Sequence, residues 1–135
     1  MKERAFVDSG FWIALFDSKD IHFESAKEIF AKLRGEYEAV SSEFVVFETI
    51  TYLNCSLKQH DLAVRFLETI RSSGMVIMPV DSNVRDLAIA IFKQYADKLF
   101  SFTDCTSFEL MRREDIQLYA GFDKHFQQMG FQWLT

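Results

Sequence analysis

Apolar residues follow two patterns along the chain, short continuous runs and stripes spaced by three and four positions. The runs that predict β-strands are RAFVD (4–8), EAVSS (38–42), MVIMPV (75–80), IQLYAGFD (116–123) and FQWLT (131–135). The stripes predict helices over 11–17, 21–35, 43–57, 60–74, 83–99 and 101–113, and KHFQQMG (124–130) predicts a short helical turn. Strands that alternate with helices predict a mostly parallel sheet covered on both faces, an α/β/α sandwich of three layers.

Polar residues mark where several of these helices begin and end. Ser41 or Ser42 is placed to cap the helix over 43–57, and Ser101 or Thr103 the helix over 101–113. With one proline, five glycines and no low-complexity tract, the chain offers no linker between halves. We therefore expect a single domain over residues 1–135.

Composition and charge narrow the class of protein. Apolar residues make up 49% of the chain and include fifteen Phe, as in a globular protein, and helical spacing indicates that Trp12 and the Phe series belong to the core or a dimer contact. The net charge of −5 argues against a broad basic surface for nucleic acid, but acids that hold cations are compatible with a metal-dependent nuclease.

Cys55 and Cys105 have no metal-type spacing and are predicted to be reduced thiols. Asp8 interrupts an N-terminal apolar run too short for a signal peptide or membrane span, so the cytoplasm is the expected location.

Four acids stand at the places where an α/β fold builds its ligand crevice. Asp8 and Asp123 end predicted strands, Asp104 lies at a helix start, and Glu48 is embedded in the apolar segment FVVFETITYL. A carboxylate in apolar surroundings is costly unless a partner or a cation compensates it. The joint placement of the four acids predicts one shared cation site.

Each acid also has an ordinary structural explanation. Asp104, Asp8 and Asp123 each precede or begin a predicted helix and could serve as helix caps, and Glu48 could reach solvent at a helix edge. Taken singly, capping is the simpler interpretation of Asp8 and Asp104. The common position of the acids at one end of one sheet is what favours a site.

Four segments resemble, in order and spacing, the PIN-domain family, most closely the VapC-type toxin ribonucleases of toxin–antitoxin systems. They are FVDSGFWIALF, SSEFVVFETITYL, FSFTDCTSFELM and AGFDKHFQQMGF. By motif, the resemblance gives Asp8, Glu48, Asp104 and Asp123 the catalytic positions, and it implies an RNA substrate, cleavage to a 5′-phosphate and a 3′-hydroxyl, a cognate antitoxin and a homodimer. The sequence departs from the pattern at Gly121, where such proteins often carry a side chain.

Oxygen ligands without Cys or His spacing favour Mg²⁺ or Mn²⁺, and such cations can activate water and stabilise the leaving oxygen in phosphodiester hydrolysis. Our hypothesis is that Asp8, Asp104 and Asp123 bind the metal, while Glu48 holds a water or a second ion. The hydroxyls of Ser9 and Thr103 would orient the carboxylates.

Several charged residues near these motifs are ambiguous. We interpret His125 as polar surface on an exposed turn, and Glu109 as an exposed helix residue rather than a fifth acid of the site. Lys98, Arg112, Arg113 and Lys124 could neutralise RNA phosphates, although solvated helix ends explain the two arginines equally well.

Two other functions stay open at this point. One is a non-catalytic PIN-type scaffold that binds RNA or protein, and the retention of all four acids speaks against it. The other is a receiver-like, Mg²⁺-dependent phosphotransfer domain, which would need paired acids after its first strand, where FVDSG offers one.

Overall fold

A five-stranded parallel sheet forms the centre of the molecule in the computed structural model, which describes residues 2–135. The strands are β1 (Glu3–Val7), β2 (Tyr37–Ser42), β3 (Val76–Met78), β4 (Leu118–Ala120) and β5 (Gln132–Trp133). Their order across the sheet is β3-β2-β1-β4-β5, and every neighbouring pair is parallel. The predicted fold class, a three-layer α/β/α sandwich, is confirmed.

Helices occur where the apolar stripes predict them. They are α1 (Ser9–Phe16), α2 (Phe23–Glu36), α3 (Glu43–Thr51), α4 (His60–Ser73), α5 (Ser82–Gln94), α6 (Phe102–Arg113) and α7 (His125–Gln128). None of the helices within residues 2–135 has the length and apolar character needed to cross a membrane. Both cysteines are free thiols, Cys55 exposed and Cys105 buried.

Two helix ends differ from the periodic pattern. The predicted helix 43–57 changes to a π-helical turn over Tyr52–Ser56, in which the amide of Leu57 donates to the carbonyl of Tyr52. The predicted helix 83–99 stops at Gln94, since the chain turns with Lys98 N–H donating to the Tyr95 carbonyl and Leu99 takes a left-handed backbone (φ 58°). Hydrophobic spacing continues through both segments and therefore hides the change of backbone.

An aromatic core holds the elements that carry the acids. Phe126 of α7 stacks on Tyr119 of β4, with ring centroids 4.8 Å apart, and meets Phe108 of α6 edge-on at 5.0 Å. In another part of the core, Trp12 of α1 packs edge-on against Phe66 of α4 at 5.7 Å. All five rings are buried, which fixes α1, α6 and the β4–α7 turn relative to the sheet.

Candidate active site

The four predicted acids line one cleft of about 330 Å³ beyond the carboxyl ends of the neighbouring strands β1 and β4. The residues that line it are Asp8, Ser9, Gly10, Glu48, Leu99, Ser101, Asp104, Asp123 and His125. Because parallel strands end at the same edge of a sheet, Asp8 after β1 and Asp123 after β4 are brought together. The starts of α1 and α6 and the middle of α3 add the other groups.

Asp8 joins the sheet to the first helix and is only 4% exposed. Its amide donates to the carbonyl of Ala120 at 2.9 Å, which ties it to β4, and its own carbonyl accepts the first helical hydrogen bonds of α1. Its carboxylate forms no helix-cap hydrogen bond. Burial, followed by repulsion from Asp104, Glu48 and Asp123, raises the pKa of this carboxyl well above its ordinary value.

Asp104 caps a helix and also faces the cleft. The hydroxyl of Ser101 accepts from the Asp104 amide at 2.9 Å, and Asp104 Oδ2 accepts from the Ser101 amide at 3.1 Å, so the two residues form a capping box. Of the two predicted caps, Ser101 takes this position rather than Thr103. Burial and then the charge of Asp123 raise the pKa of Asp104, while the hydrogen bonds from Ser101 and His125 oppose that rise.

His125 is a member of the cleft, so our interpretation of it as exposed polar surface is wrong. Its Nδ1 lies 3.1 Å from Oδ2 of Asp104 and 3.1 Å from Oδ2 of Asp123, and its side chain is 18% exposed. The ring also packs edge-on against Phe100, with centroids 5.1 Å apart. The His125 amide donates to Asp123 Oδ1 in an Asx turn, but the same turn joins His22 to Asp20 outside the cleft, so no local sequence signal singles out His125.

One donor atom each from Asp104, Asp123 and His125 lie within 4.8 Å of one another, a spacing that could hold a cation. The donor set contains a nitrogen, whereas the sequence argument expected oxygen alone. Asp8 and Glu48 line the same cleft outside this group of three.

Glu48 is positioned by the first turn of α1. The hydroxyl of Ser9 donates to Oε1 of Glu48 at 2.6 Å, so this predicted orienting hydroxyl contacts the helix acid rather than an aspartate. Thr103, the other predicted hydroxyl, lies instead in a neighbouring hollow that also borders Glu48. Its carbonyl accepts from the hydroxyls of Thr106 and Ser107, an arrangement that stiffens the first turn of α6.

Basic side chains near the motifs are occupied elsewhere or lie outside the cleft. Arg112 forms a two-point pair with Glu109, which is buried and not exposed as expected, and Arg113 pairs with Asp81 at 3.2 Å. Lys98 lies 4.0 Å from Asp97. Among the described residues that line the cleft there are four carboxylates and no lysine or arginine. Carboxylates gathered in a cleft without a lysine or arginine are the setting in which a bound cation is favourable.

Two further residues, Cys105 and Gly121, lie close to the acids. Burial and then the charge of Asp104 raise the pKa of the Cys105 thiol to about 11, so the thiol is neutral near pH 7. A Cβ at Gly121 would lie 3.2 Å from the Cβ of Asp8, closer than such atoms normally approach. The departure from the family pattern at Gly121 therefore lets the end of β4 pass close to Asp8.

A parallel three-layer sandwich with four acids at the carboxyl edge of its sheet is the arrangement expected of a PIN-domain nuclease. The PIN domain profile matches residues 5–132, and the chain belongs to this family. The predicted family and the predicted enzyme class, a nuclease, are confirmed, and the receiver-like alternative is not favoured.

The chain is similar to a VapC-type relative within the family. The chain is 31% identical over 128 residues to the 23S rRNA-specific endonuclease VapC20 of Mycobacterium tuberculosis, as found in strains CDC 1551 and H37Rv, with 93% of this chain and 94% of the relative covered. It is also similar to the crystal structure of M. tuberculosis VapC20, described as a sarcin-ricin loop cleaving toxin. That likeness has a TM-score of 0.88 at 30% identity and covers 95% of this chain and 96% of that one.

Proposed function

We propose that this protein is a metal-dependent endoribonuclease and the toxin of a toxin–antitoxin pair, acting in the cytoplasm as a single PIN domain. The observation that carries the proposal is the cleft itself, in which two buried aspartates with raised pKa values meet two further acids, with no lysine or arginine among the described lining. The similarity to VapC20 adds a substrate class, structured ribosomal RNA.

The residues proposed to hold the cation, Mg²⁺ or Mn²⁺, are Asp8, Asp104 and Asp123. His125 contacts two of these acids, so it either adds a nitrogen ligand or holds their carboxylates in place. When bound, such a cation supplies Lewis acidity toward a phosphate oxygen and toward water.

Around that position, the chain's own residues hold the reactants. Ser9 fixes Oε1 of Glu48, which leaves Oε2 to accept a hydrogen bond from the attacking water and so orient it. Ser101 fixes Oδ2 of Asp104 from the backbone. In-line hydrolysis would then leave a 5′-phosphate and a 3′-hydroxyl, the products that the family resemblance implies.

The direct test is incubation of the purified protein with a ribosomal RNA fragment and a mixed RNA pool in Mg²⁺, Mn²⁺ or EDTA. Wild type should cut in metal and not in EDTA, and Asp104→Asn should not cut. Asp86→Asn is a matched control, since Asp86 is an exposed acid of α5 outside the cleft. Equal cutting by wild type and Asp104→Asn would reject this site, and no cutting of any RNA would favour the non-catalytic scaffold.

We also propose a homodimer, supported by an apolar patch of partly exposed aromatic rings. Phe47 is 58% and Phe92 51% exposed. Phe92 packs against Phe102 (6.2 Å) and Phe102 against Phe44 (6.4 Å), while Phe44 and Phe47 border the same hollow. Such rings are typical of protein contacts. Light scattering should give a dimer for wild type and a monomer for Phe47→Ser/Phe92→Ser, whereas Val76→Ser at the sheet edge should remain dimeric. A monomeric wild type would contradict this assignment.

A cognate antitoxin is the remaining proposed partner. An antitoxin segment that enters the acidic cleft would exclude both RNA and cation, so co-expression with a small neighbouring gene product should yield a complex without ribonuclease activity. If the complex cuts RNA as fast as the free protein, the cleft is not where the antitoxin binds.

A further inference from the structure

Leu99 is the one apolar side chain among the described residues that line the acidic cleft. It lines the cleft together with residues that include Ser101, Asp104 and His125, and it is 86% exposed. Burial does not explain a leucine in this position, since almost none of its apolar surface is removed from water. Its neighbours in the cleft can all bind a cation or a hydrogen-bond donor, whereas Leu99 can do neither.

The backbone at Leu99 is also unfavourable for leucine. Its φ is 58°, in the left-handed region, where a Cβ crowds the following carbonyl and where glycine or asparagine is the usual residue. Folding alone would favour a small or polar residue here on two grounds, exposure and backbone conformation. A residue that meets neither criterion at the rim of a site is a candidate for a functional contact.

The segment around Leu99 is held firmly on both sides. Before it, the amide of Lys98 donates to the carbonyl of Tyr95 at 3.2 Å. After it, Phe100 is buried and meets Phe108 edge-on at 5.0 Å, and Ser101 caps α6 through Asp104. The backbone at Leu99 is therefore held between these contacts, close in the chain to the start of α6.

We propose that Leu99 is a substrate-contact residue that packs against the face of an unpaired RNA base next to the scissile phosphate. The inference rests on the proposed ribonuclease function and adds the part of the substrate that the acids do not bind. The phosphate must lie among the carboxylates and their cation, so the neighbouring nucleoside reaches the rim. A base face is apolar and is open to a side chain only where the RNA is single-stranded or looped, which makes an unpaired nucleotide the fitting occupant.

The experiment separates a contact with RNA from a structural role, because one substitution at Leu99 should preserve or raise the melting temperature while it lowers cleavage. Leu99→Gly removes the side chain and relieves the left-handed backbone, so its melting temperature should equal or exceed that of wild type. Its kcat/KM on the RNA that wild type cuts should nevertheless fall about tenfold. Leu99→Asn, which also tolerates a left-handed backbone, should lose activity equally, and Leu99→Met should recover most of it because it restores an apolar side chain.

The matched control is Asp115→Gly, at another exposed left-handed position (φ 53°) that precedes β4 and lies outside the cleft. It should gain stability without any change in cleavage. A second readout is anisotropy of a labelled RNA oligonucleotide bound to Asp104→Asn, with and without Leu99→Gly, which should weaken binding.

The outcomes distinguish a failure of the proposed base contact from a failure of the proposed ribonuclease function. If wild type cuts RNA and Leu99→Gly cuts it with unchanged kcat/KM, Leu99 contacts no base and the inference is overturned while the ribonuclease stands. If Leu99→Gly converts a dimer to a monomer and leaves kcat/KM unchanged, Leu99 belongs to a contact between copies, which also overturns it. If wild type cuts no RNA, the proposed function fails and the inference fails with it.

Discussion

In the absence of metal, Asp104→Asn should make the protein more stable. Donor atoms of Asp104, Asp123 and His125 lie within 4.8 Å of one another, and two unit charges at that distance repel by about 3.5 kcal/mol at an effective dielectric constant of 20. The two carboxylates in question are those of Asp104 and Asp123. The unfolded chain does not hold them together, so their repulsion opposes folding. An asparagine at position 104 removes it and keeps the shape of the side chain.

The substitution also has a cost, which reduces the gain. Oδ2 of Asp104 accepts from both the Ser101 amide and His125, and the amide oxygen of asparagine can accept from both. These hydrogen bonds lose their ionic character, at about 1 kcal/mol each. The net gain is then about 1.5 kcal/mol. For a chain of 135 residues the entropy of unfolding is about 0.28 kcal/mol/K, so the melting temperature should rise by about 5 °C.

Melting temperatures measured in EDTA and in Mn²⁺ distinguish the loss of repulsion from the loss of cation binding. Wild type should gain about 2.7 kcal/mol, roughly 10 °C, when Mn²⁺ is a hundredfold above its dissociation constant, because the folded state alone binds it. Asp104→Asn should gain little, so the order of stability reverses between EDTA and Mn²⁺. Asp86→Asn should change neither value by more than about 0.5 kcal/mol. A variant less stable than wild type in EDTA would refute the argument, since capping would then outweigh repulsion.

Three further predictions concern the same cleft. Burial and neighbouring acids raise the pKa values of Asp8 and Asp104, so the folded state binds more protons than the unfolded chain. The stability that these two groups contribute in EDTA should therefore be complete below their unfolded pKa values, about pH 4, and be lost as the pH rises through the raised folded values, with a shallower slope in Asp104→Asn. Urea unfolding across pH tests this, and equal slopes would contradict it. Ser101→Ala should lose about 1 kcal/mol of unfolding free energy and cleave RNA more slowly, and Ser101→Thr should restore both properties. If Ser101→Ala is as stable and as active as wild type, the cap is dispensable. Gly121→Ala should lower the free energy of unfolding by about 1 kcal/mol and slow cleavage, because the new Cβ displaces Asp8. Gly35→Ala, which has open space around it in α2, should instead raise the free energy of unfolding by up to about 1 kcal/mol. Equal effects of the two substitutions would reject the crowding argument.

The sequence could predict the four acids of the cleft because each is tied to a local boundary. Asp8 and Asp123 follow strands, Asp104 begins a helix, and Glu48 interrupts an apolar helix, and all four features can be read within a few residues. The parallel order of the sheet then places these boundaries at one edge without any knowledge of side-chain contacts. Fold and acid placement were accessible for the same reason.

His125 and Leu99 were not accessible because their roles depend on backbone turns. His125 reaches Asp104 across 21 residues only because the Asx turn at Asp123 directs it into the cleft. Leu99 continues the apolar stripe of the predicted helix 83–99, but the helix ends at Gln94, and the turns that follow it bring Leu99 to the lining of the cleft. Hydrophobic periodicity carries no information about either turn.

Asp104 shows why capping and metal binding need not exclude each other. Its Oδ2 is held by the Ser101 amide and His125, and within residues 2–135 no hydrogen bond is made to its Oδ1. The capping box thus fixes the torsion of the side chain and leaves one oxygen free to face a cation. A site that must hold several like charges together needs such fixed carboxylates, because a mobile acid would rotate away from its neighbours in the absence of metal. The proposed ligand at the start of α6 would thus have its position determined by the capping box in which it takes part.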